Sequence, residues 1–331
     1  SVEVVKGARG ERFCSLSYAR VSRAGREQDL AKMIAELPKE VFAKRKVKAE
    51  KTENKKLSTI SDLSKLVAKE YQARTVSASM LNNFFECPWQ WYFRNLLQLP
   101  QDSAEVLEFG SAVHSTIERI LGLENPPTPA TVKNIVFEEV GKTKIKNEAI
   151  KDRIAGEIFE IVERWVDRRL PKIKLGRKTE EAISIKDKNF PHLKIFGRID
   201  LIENITLGEI RVTDFKTGRP KRKSDMEKKD EEGRMSGALR QLSVYAYLLK
   251  NNPKWLSDVK ECRLEFLEAK GEKEIFYDRV IGEEEMKLLV QDIKDYDELL
   301  KSGEWVNRPC NYNSYGKNTE CEYCKMAEIY K

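Results

Sequence analysis

An α/β fold, a mixed β-sheet flanked by helices, is what this sequence of 331 residues predicts, and three observations carry that reading. Alternating apolar and polar residues run through the stretch from about Glu181 to Lys216, as half-buried strands require. Segments with apolar residues every three to four positions lie before and after it, as amphipathic helices require. Further strand patterns near Cys262–Glu268 and Lys273–Val280 add to the sheet, and a helix at Glu283–Leu300 follows them.

The elements can be justified in chain order. The chain starts with Ser1 and not with Met, which leads us to expect a fragment or a processed form. Residues 12–37 read as a short strand, polar residues and a helix ending in Ile34-Ala35-Glu36-Leu37. Residues 39–74 read as a basic linker: between Lys39 and Lys56 eight basic residues face three acidic ones, so most of the net charge of +7 sits there. Ser77-Ala78-Ser79 offers a cap for a helix carrying Leu81, Phe84 and Phe85, which leads into Cys87. Residues 103–122 form the next helix, with Phe109, Val113, Ile117 and Leu121 at four-residue intervals.

Pro126, Pro127 and Pro129 then break the chain before a helical insertion, about 123–175. Its stripe of Ile150, Ile154, Ile158, Ile161, Trp165 and Leu170 is expected to be core. A strand from about Leu193 to Glu203 and one from Ile210 to Lys216 are joined by a short link with Asn204 and Gly208, the length of an antiparallel hairpin connection. Gly218 to Gly233 is charged and helix-poor, and a helix with Leu239, Leu242, Ala246 and Leu249 as its apolar face follows. There is no internal repeat.

The chemistry concentrates in Phe196-Gly197-Arg198-Ile199-Asp200 and Thr213-Asp214-Phe215-Lys216. Alternation puts Asp214 and Lys216 on one face of their strand, and the hairpin lets Asp200 lie beside Asp214. Hard oxygen ligands at this spacing suit Mg²⁺ or Mn²⁺, and the lysine would orient a water or neutralise charge on a reacting phosphate. For Asp-x-Lys alone, an ordinary hairpin with solvent-facing acids is the better explanation of the residues, and the context has to supply the specificity. His114, one of two histidines, sits at the edge of its helix's apolar stripe, and Gln241 and Tyr245 lie one turn apart on theirs. Cys310, Cys321 and Cys324 crowd the last 22 positions, and Cys87 lies far upstream. A Cys-x-x-Cys pair and two further thiolates can hold one metal centre; Cys14 and Cys262 read as apolar fillers.

Taken in order, Gly-x-x-x-His, Gly-Arg-Ile-Asp, Asp-Phe-Lys-Thr-Gly and Gln-x-x-x-Tyr resemble the motif series of the RecB/AddB-type branch of the PD-(D/E)XK nuclease superfamily. The resemblance covers roughly residues 75–331. It implies that His114, Asp200, Asp214 and the backbone carbonyl of Phe215 ligate the metal, that Lys216 is the catalytic lysine, and that Gln241 and Tyr245 lie beside the substrate. Glu180 or Glu181 falls near a further acidic position of related domains. In AddB-like nucleases one cysteine before the core and three after it hold a 4Fe-4S cluster that clamps the domain ends. Cys87, in a Cys-Pro-x-x-x-Tyr setting, matches the first ligand. The usual last cysteine, about six residues after Cys-x-x-Cys, is Tyr330 here, so Cys310 must stand in, and structural Zn²⁺ remains the alternative.

Residues 1–38 resemble the tail of a UvrD-like superfamily 1 helicase, in which a strand ending in Tyr18-Ala19 leads on to Ile34-Ala35-Glu36-Leu37. No Gly-x-x-x-x-Gly-Lys-Ser/Thr loop occurs, so a motor must lie elsewhere in the protein or in a partner. No apolar run approaches the length of about 18 residues that spans a bilayer, and a cytoplasmic protein without a membrane partner is expected. The expected activity is Mg²⁺- or Mn²⁺-dependent DNA hydrolysis, an exonuclease on single strands delivered by a helicase, with the Gly218–Gly233 stretch as a mobile DNA-contacting loop or a plain surface loop. The alternative is a module of the same fold that binds DNA ends without cutting.

Overall fold

The protein is described here by a computed structural model, which covers residues 2–6, 12–16, 60–99, 105–173, 177–269, 271, 275–312 and 321–330. Two compact units divide at Lys55 and Lys56. In the first, β1 (Val2–Lys6) and β2 (Arg12–Leu16) pair antiparallel with Val4 opposite Cys14. The helix expected near Leu37 and the linker as far as residue 59 lie outside the described residues, as does the environment of the Cys14 side chain.

The second unit is organised around a six-stranded sheet. Its strands are β3 (Thr75–Val76), β4 (Lys178–Lys186), β5 (Lys194–Thr206), β6 (Glu209–Lys216), β7 (Asp258–Phe266) and β8 (Phe276–Arg279). They run in the order β3-β5-β6-β7-β8, with β4 also on β5. The β3–β5 and β6–β7 pairs are parallel and the others antiparallel, so the sheet is mixed, as the sequence predicts. Gly208, with φ 87°, makes the tight link between β5 and β6. This is a left-handed conformation that costs glycine little.

One property of β5 positions everything that follows. β4 pairs with it from Lys194 to Ile202. Along its other edge β3 reaches only Lys194 and Ile195, and β6 begins pairing at Leu201. Between them, Phe196 to Asp200 have no strand partner on that edge among the described residues. Face alternation also changes step here: Ile195, Ile199 and Ile202 join one core and Leu201 the other. Directly across β4, Glu180 adopts φ 50°, a conformation that costs a non-glycine residue energy and that the surrounding sheet must impose.

Helices cover both faces. On one lie α1 (Ile60–Glu70), α2 (Ala78–Glu86), α3 (Pro88–Trp91), α8 (Gly237–Lys250) and α9 (Glu283–Ser302), packed with Ile195, Val212 and Leu264. On the other, α4 (Glu105–Leu121), α5 (Pro129–Gly141) and α6 (Glu148–Arg169) enclose Leu201, Phe215 and Leu267. The expected insertion is therefore the second covering layer of the sheet. Its Ile154, Ile158, Ile161 and Trp165 are buried, as their spacing predicts. Arg169, at the end of α6, pairs in the interior with Glu203 of β5 and Glu265 of β7, and Trp165 Nε1 donates to Glu265 at 2.9 Å.

Two local expectations change. Residues 60–73, read as part of the basic linker, form α1 and a following turn; Leu63, Val67 and Tyr71 are buried at four-residue intervals and Tyr71 OH donates to Asp297 at 2.6 Å. The preceding run of charge had hidden that short stripe. The Gly218–Gly233 stretch holds a one-turn helix, α7 (Lys223–Glu227), whose Met226 is buried and whose Glu227 accepts from Tyr277 OH at 3.1 Å. Elsewhere the caps fall as read: Ser77 accepts from Met80 N at 3.2 Å, and Cys262 is buried in the core. The remaining short helix, α10 (Glu322–Met326), carries the Cys-x-x-Cys pair.

Candidate active site

The β5–β6 hairpin, α4 and α8 bring six polar side chains to one place. Leu201 stands opposite Thr213 in the ladder, so the next position along is Asp200 beside Asp214. Asp200 Oδ2 accepts from the backbone N–H of Phe215 at 2.6 Å and lies 3.5 Å from His114 Nδ1. Asp214 Oδ1 accepts from Gln241 Nε2 at 2.7 Å and from Tyr245 OH at 2.9 Å, while Lys216 Nζ sits 2.8 Å from Oδ2. Lys216 also donates to Gln241 Oε1 at 2.6 Å. The lysine, the carboxylate and the amide thus fix one another, which is how long side chains are held in a single rotamer at a reacting centre. Behind them the Phe215 ring stands edge-on between His114 and Trp165, at 6.3 and 5.8 Å.

Gly197 has a steric reason to be glycine. A Cβ there would sit 2.7 Å from Leu248 Cδ1 and 3.3 Å from the Tyr245 ring, so even alanine would force the Leu248 side chain to move and crowd Tyr245.

The electrostatics are those of crowded acids. Burial, then the field of Asp200, raises Asp214 above its ordinary range against the pull of Lys216. Burial, then Asp200 and Glu118, pushes Glu180 up to about 7. Burial alone would lower His114, yet Asp200, Asp214 and Glu180 together hold its imidazole above the usual value. Ligand atoms of His114, Glu180 and Asp200 lie within 4.8 Å of one another. Two carboxylates and an imidazole at that separation, with Asp214 adjacent, form a donor set that fits a divalent cation, whose charge would relieve the repulsion among the acids.

A second cluster lies at the start of α3. Cys87, Cys310, Cys321 and Cys324 place their sulfurs within 4.8 Å of one another, with Cys87 Sγ 3.7 Å from both Cys321 and Cys324. Burial raises the Cys87 thiol well above its ordinary value and pushes the Cys324 thiol up to about 12, so a bound metal is what would favour their thiolates. Four sulfurs around one tetrahedral ion are about 3.8 Å apart when the metal–sulfur bond is about 2.3 Å, as for zinc. A four-iron cubane, with irons and sulfides between the thiolates, holds them farther apart. Tyr330, where a last cysteine was sought, stacks on Trp89 at 5.8 Å and joins an aromatic wall with Tyr92 and Trp305.

The structure therefore gathers His114, Asp200, Asp214, Lys216, Gln241 and Tyr245 into one site, and the four cysteines into another. Between the two neighbouring glutamates, it is Glu180 that faces His114 and Asp200. The sequence held no signal for that choice, because the turn of Glu180 depends on its left-handed backbone.

A family model described as the PD-(D/E)XK nuclease superfamily matches residues 75–329. No curated protein matches the chain in sequence. Among solved structures, a Eubacterium rectale protein assigned as an exonuclease is similar with a TM-score of 0.45 and 13% identity, covering 72% of this chain and 84% of that one. A protein called SSO0001 is similar with a TM-score of 0.30 and 14% identity, covering 76% of this chain and 93% of that one.

Proposed function

Because the chain belongs to the PD-(D/E)XK nuclease superfamily, we propose that it is a Mg²⁺- or Mn²⁺-dependent deoxyribonuclease of the RecB/AddB type, an exonuclease working on single strands. The observation that carries this reading is the convergence of Asp200, Asp214 and His114 with Lys216, itself held by Gln241. His114, Asp200, Asp214 and the Phe215 carbonyl would hold the metal, with Glu180 as a further oxygen donor. The bound cation supplies Lewis acidity toward a phosphate oxygen and a more acidic water.

The chain's own residues do the rest. Lys216 places a positive charge beside Asp214, where it can orient an attacking water or balance charge on the phosphorus oxygens. Gln241 and Tyr245 hold Asp214 Oδ1, leaving Oδ2 facing the lysine. The cysteine quartet would clamp the two ends of the domain through a metal. The family resemblance supports a 4Fe-4S cluster there, and the sulfur spacing supports a single zinc. We further propose that a helicase motor, in the same protein or in a partner, delivers the strand, and that the enzyme works in the cytoplasm, where thiols stay reduced. Among the described residues no helix is long and apolar enough to cross a membrane.

The test is cleavage of end-labelled single-stranded and duplex DNA with Mg²⁺ or Mn²⁺, comparing the chain with Lys216→Ala and Asp214→Ala. We expect metal-dependent cutting, a ladder of end-shortened products, and loss of cutting in both variants. A folded, metal-supplied protein that binds DNA ends and never cuts, alone or with its motor, is the binding module instead.

A further inference from the structure

Gln241 and Tyr245, the residues that hold Asp214, also line a cavity of about 580 Å³. Its other walls include Arg74, Ser77 and Arg94, and Phe196, Gly197 and Arg198 of β5. A second cavity of about 560 Å³ shares Ala73, Arg74 and Thr75 with the first and continues to Lys186, His192 and Lys194. The two cavities adjoin along Ala73, Arg74 and Thr75, and the first reaches Gln241 and Tyr245, so together they mark a surface path toward the proposed catalytic side chains. Its position follows from the sheet: Phe196 to Arg198 lie on the stretch of β5 left open between β3 and β6.

The walls are segregated by charge. They carry Arg74, Arg94, Lys186, Lys194 and Arg198 and no aspartate or glutamate. The chain as a whole has 54 acidic residues against 61 lysines and arginines, so walls drawn at random would include several carboxylates. Arg74 donates to Leu96 O at 2.8 Å, and Arg198 stands 3.7 Å from Glu180. The side chains of Arg94, Lys186 and Lys194 have no hydrogen-bond or ion-pair partner among the described residues. Cations left without protein partners along one groove, with a half-buried ring at Phe196 beside them, are the components that grip an unpaired strand: charge for the phosphates and a flat face for a base.

We propose that this path binds the single strand flanking the scissile phosphate, with its phosphates on Arg94, Lys186, Lys194 and Arg198 and a base on Phe196. The identity of the strand as substrate rests on the nuclease reading above. A duplex fits the path poorly, because its bases are stacked inside and offer no face to Phe196.

The test uses Arg94→Ala/Lys186→Ala/Lys194→Ala, and separately Lys186→Glu/Lys194→Glu, whose two positions are exposed and tolerate substitution. Binding of a labelled oligothymidylate of about 16 nucleotides, and of a hairpin duplex of equal length, is measured in EDTA over a range of salt. For the triple variant we expect a loss on the order of 10- to 100-fold in single-strand affinity and a salt slope smaller by about 2, at ~0.7 per phosphate contact. Loss for the hairpin should be smaller. With Mn²⁺, strand cleavage should fall far more than hydrolysis of thymidine 5′-(p-nitrophenyl phosphate), which reaches the chemistry without the path. Unchanged single-strand affinity and slope in both variants, or an equal loss for the hairpin, overturns the proposal. Variants that lose strand binding, beside a wild-type chain that with its motor hydrolyses neither DNA nor the small diester, keep the path and remove the nuclease reading.

Discussion

Tyr245 and Gln241 both donate to Oδ1 of Asp214, which in the proposed mechanism leaves Oδ2 for chemistry. Tyr245→Phe removes one of these donors and leaves the packing of the ring, so cutting should fall about 10- to 100-fold through misplacement of the carboxylate. Stability should change by only about 1 kcal/mol; parallel assays of rate and thermal melting check this, and equal losses in both would assign Tyr245 to the core. Asp297 gives a pH prediction away from the site. Burial alone would raise its pKa, but hydrogen bonds from His192, Lys301 and Tyr71 outweigh burial and hold the carboxyl below its ordinary value. Its folded pKa is thus depressed, and the stabilisation is present above the ordinary carboxylate range and lost as pH falls below about 3.9. Asp297→Asn should cost about 1.5–3 kcal/mol near neutrality, with the gap to wild type closing toward pH 3 in denaturant titrations. At this scale the sequence was legible where a residue's direction follows from strand or helix period, as for Asp214 and Lys216. It was not legible where direction depends on a break in that period: Glu180 turns on a left-handed backbone, and β5 changes step at Asp200.

At the scale of elements, α6 does more than its reading as an insertion suggested. Its apolar stripe was plain in the sequence, but periodicity shows only that a face is buried and not what covers it. The partner is the sheet itself, through Trp165 on Phe215 and Arg169 on Glu203 and Glu265. Removing the cation takes the ion-pair partner from buried Glu203 and the nearer of two cations from buried Glu265, so Arg169→Met should destabilise the fold by about 3–5 kcal/mol. Chemical unfolding measures that loss, and a loss under about 1 kcal/mol would mean that water reaches the cluster. The same limit of sequence reasoning explains α1, whose short stripe of Leu63, Val67 and Tyr71 follows a long charged run. It also explains the cationic walls: Arg74, Arg94, Lys186 and Arg198 are scattered in sequence, and only the pairing of β3 and β4 with β5 and the stretch of β5 left open beyond them bring them near one another.

Across the whole molecule, Cys87 meets Cys321 and Cys324 over more than 230 residues. A metal held there would close a long loop, and cross-links of that reach are the ones expected to reduce the entropy of the unfolded chain most. Cys87→Ser should lose the bound metal and lower the melting temperature, with DNA cutting at low temperature less affected than stability. Metal analysis of anaerobically purified protein reads out the occupant at the same time, roughly four irons and a brown colour for a cubane, or one zinc and no colour. Retention of metal by Cys87→Ser would place the binding site elsewhere. The mixed sheet and the hairpin that carries Asp200, Asp214 and Lys216 were legible because each strand carries its own pattern, whereas the cysteine cluster depends on residues at opposite ends of the domain. That arrangement also sets an order in time. During synthesis Asp200, Asp214 and Lys216 emerge well before Cys310, Cys321 and Cys324, so a metal held by all four cysteines would be captured only after the residues of the proposed site are made. A nascent chain interrupted before those cysteines would keep an open ring, and the proposed clamp would thereby mark chains in which this domain has been made whole.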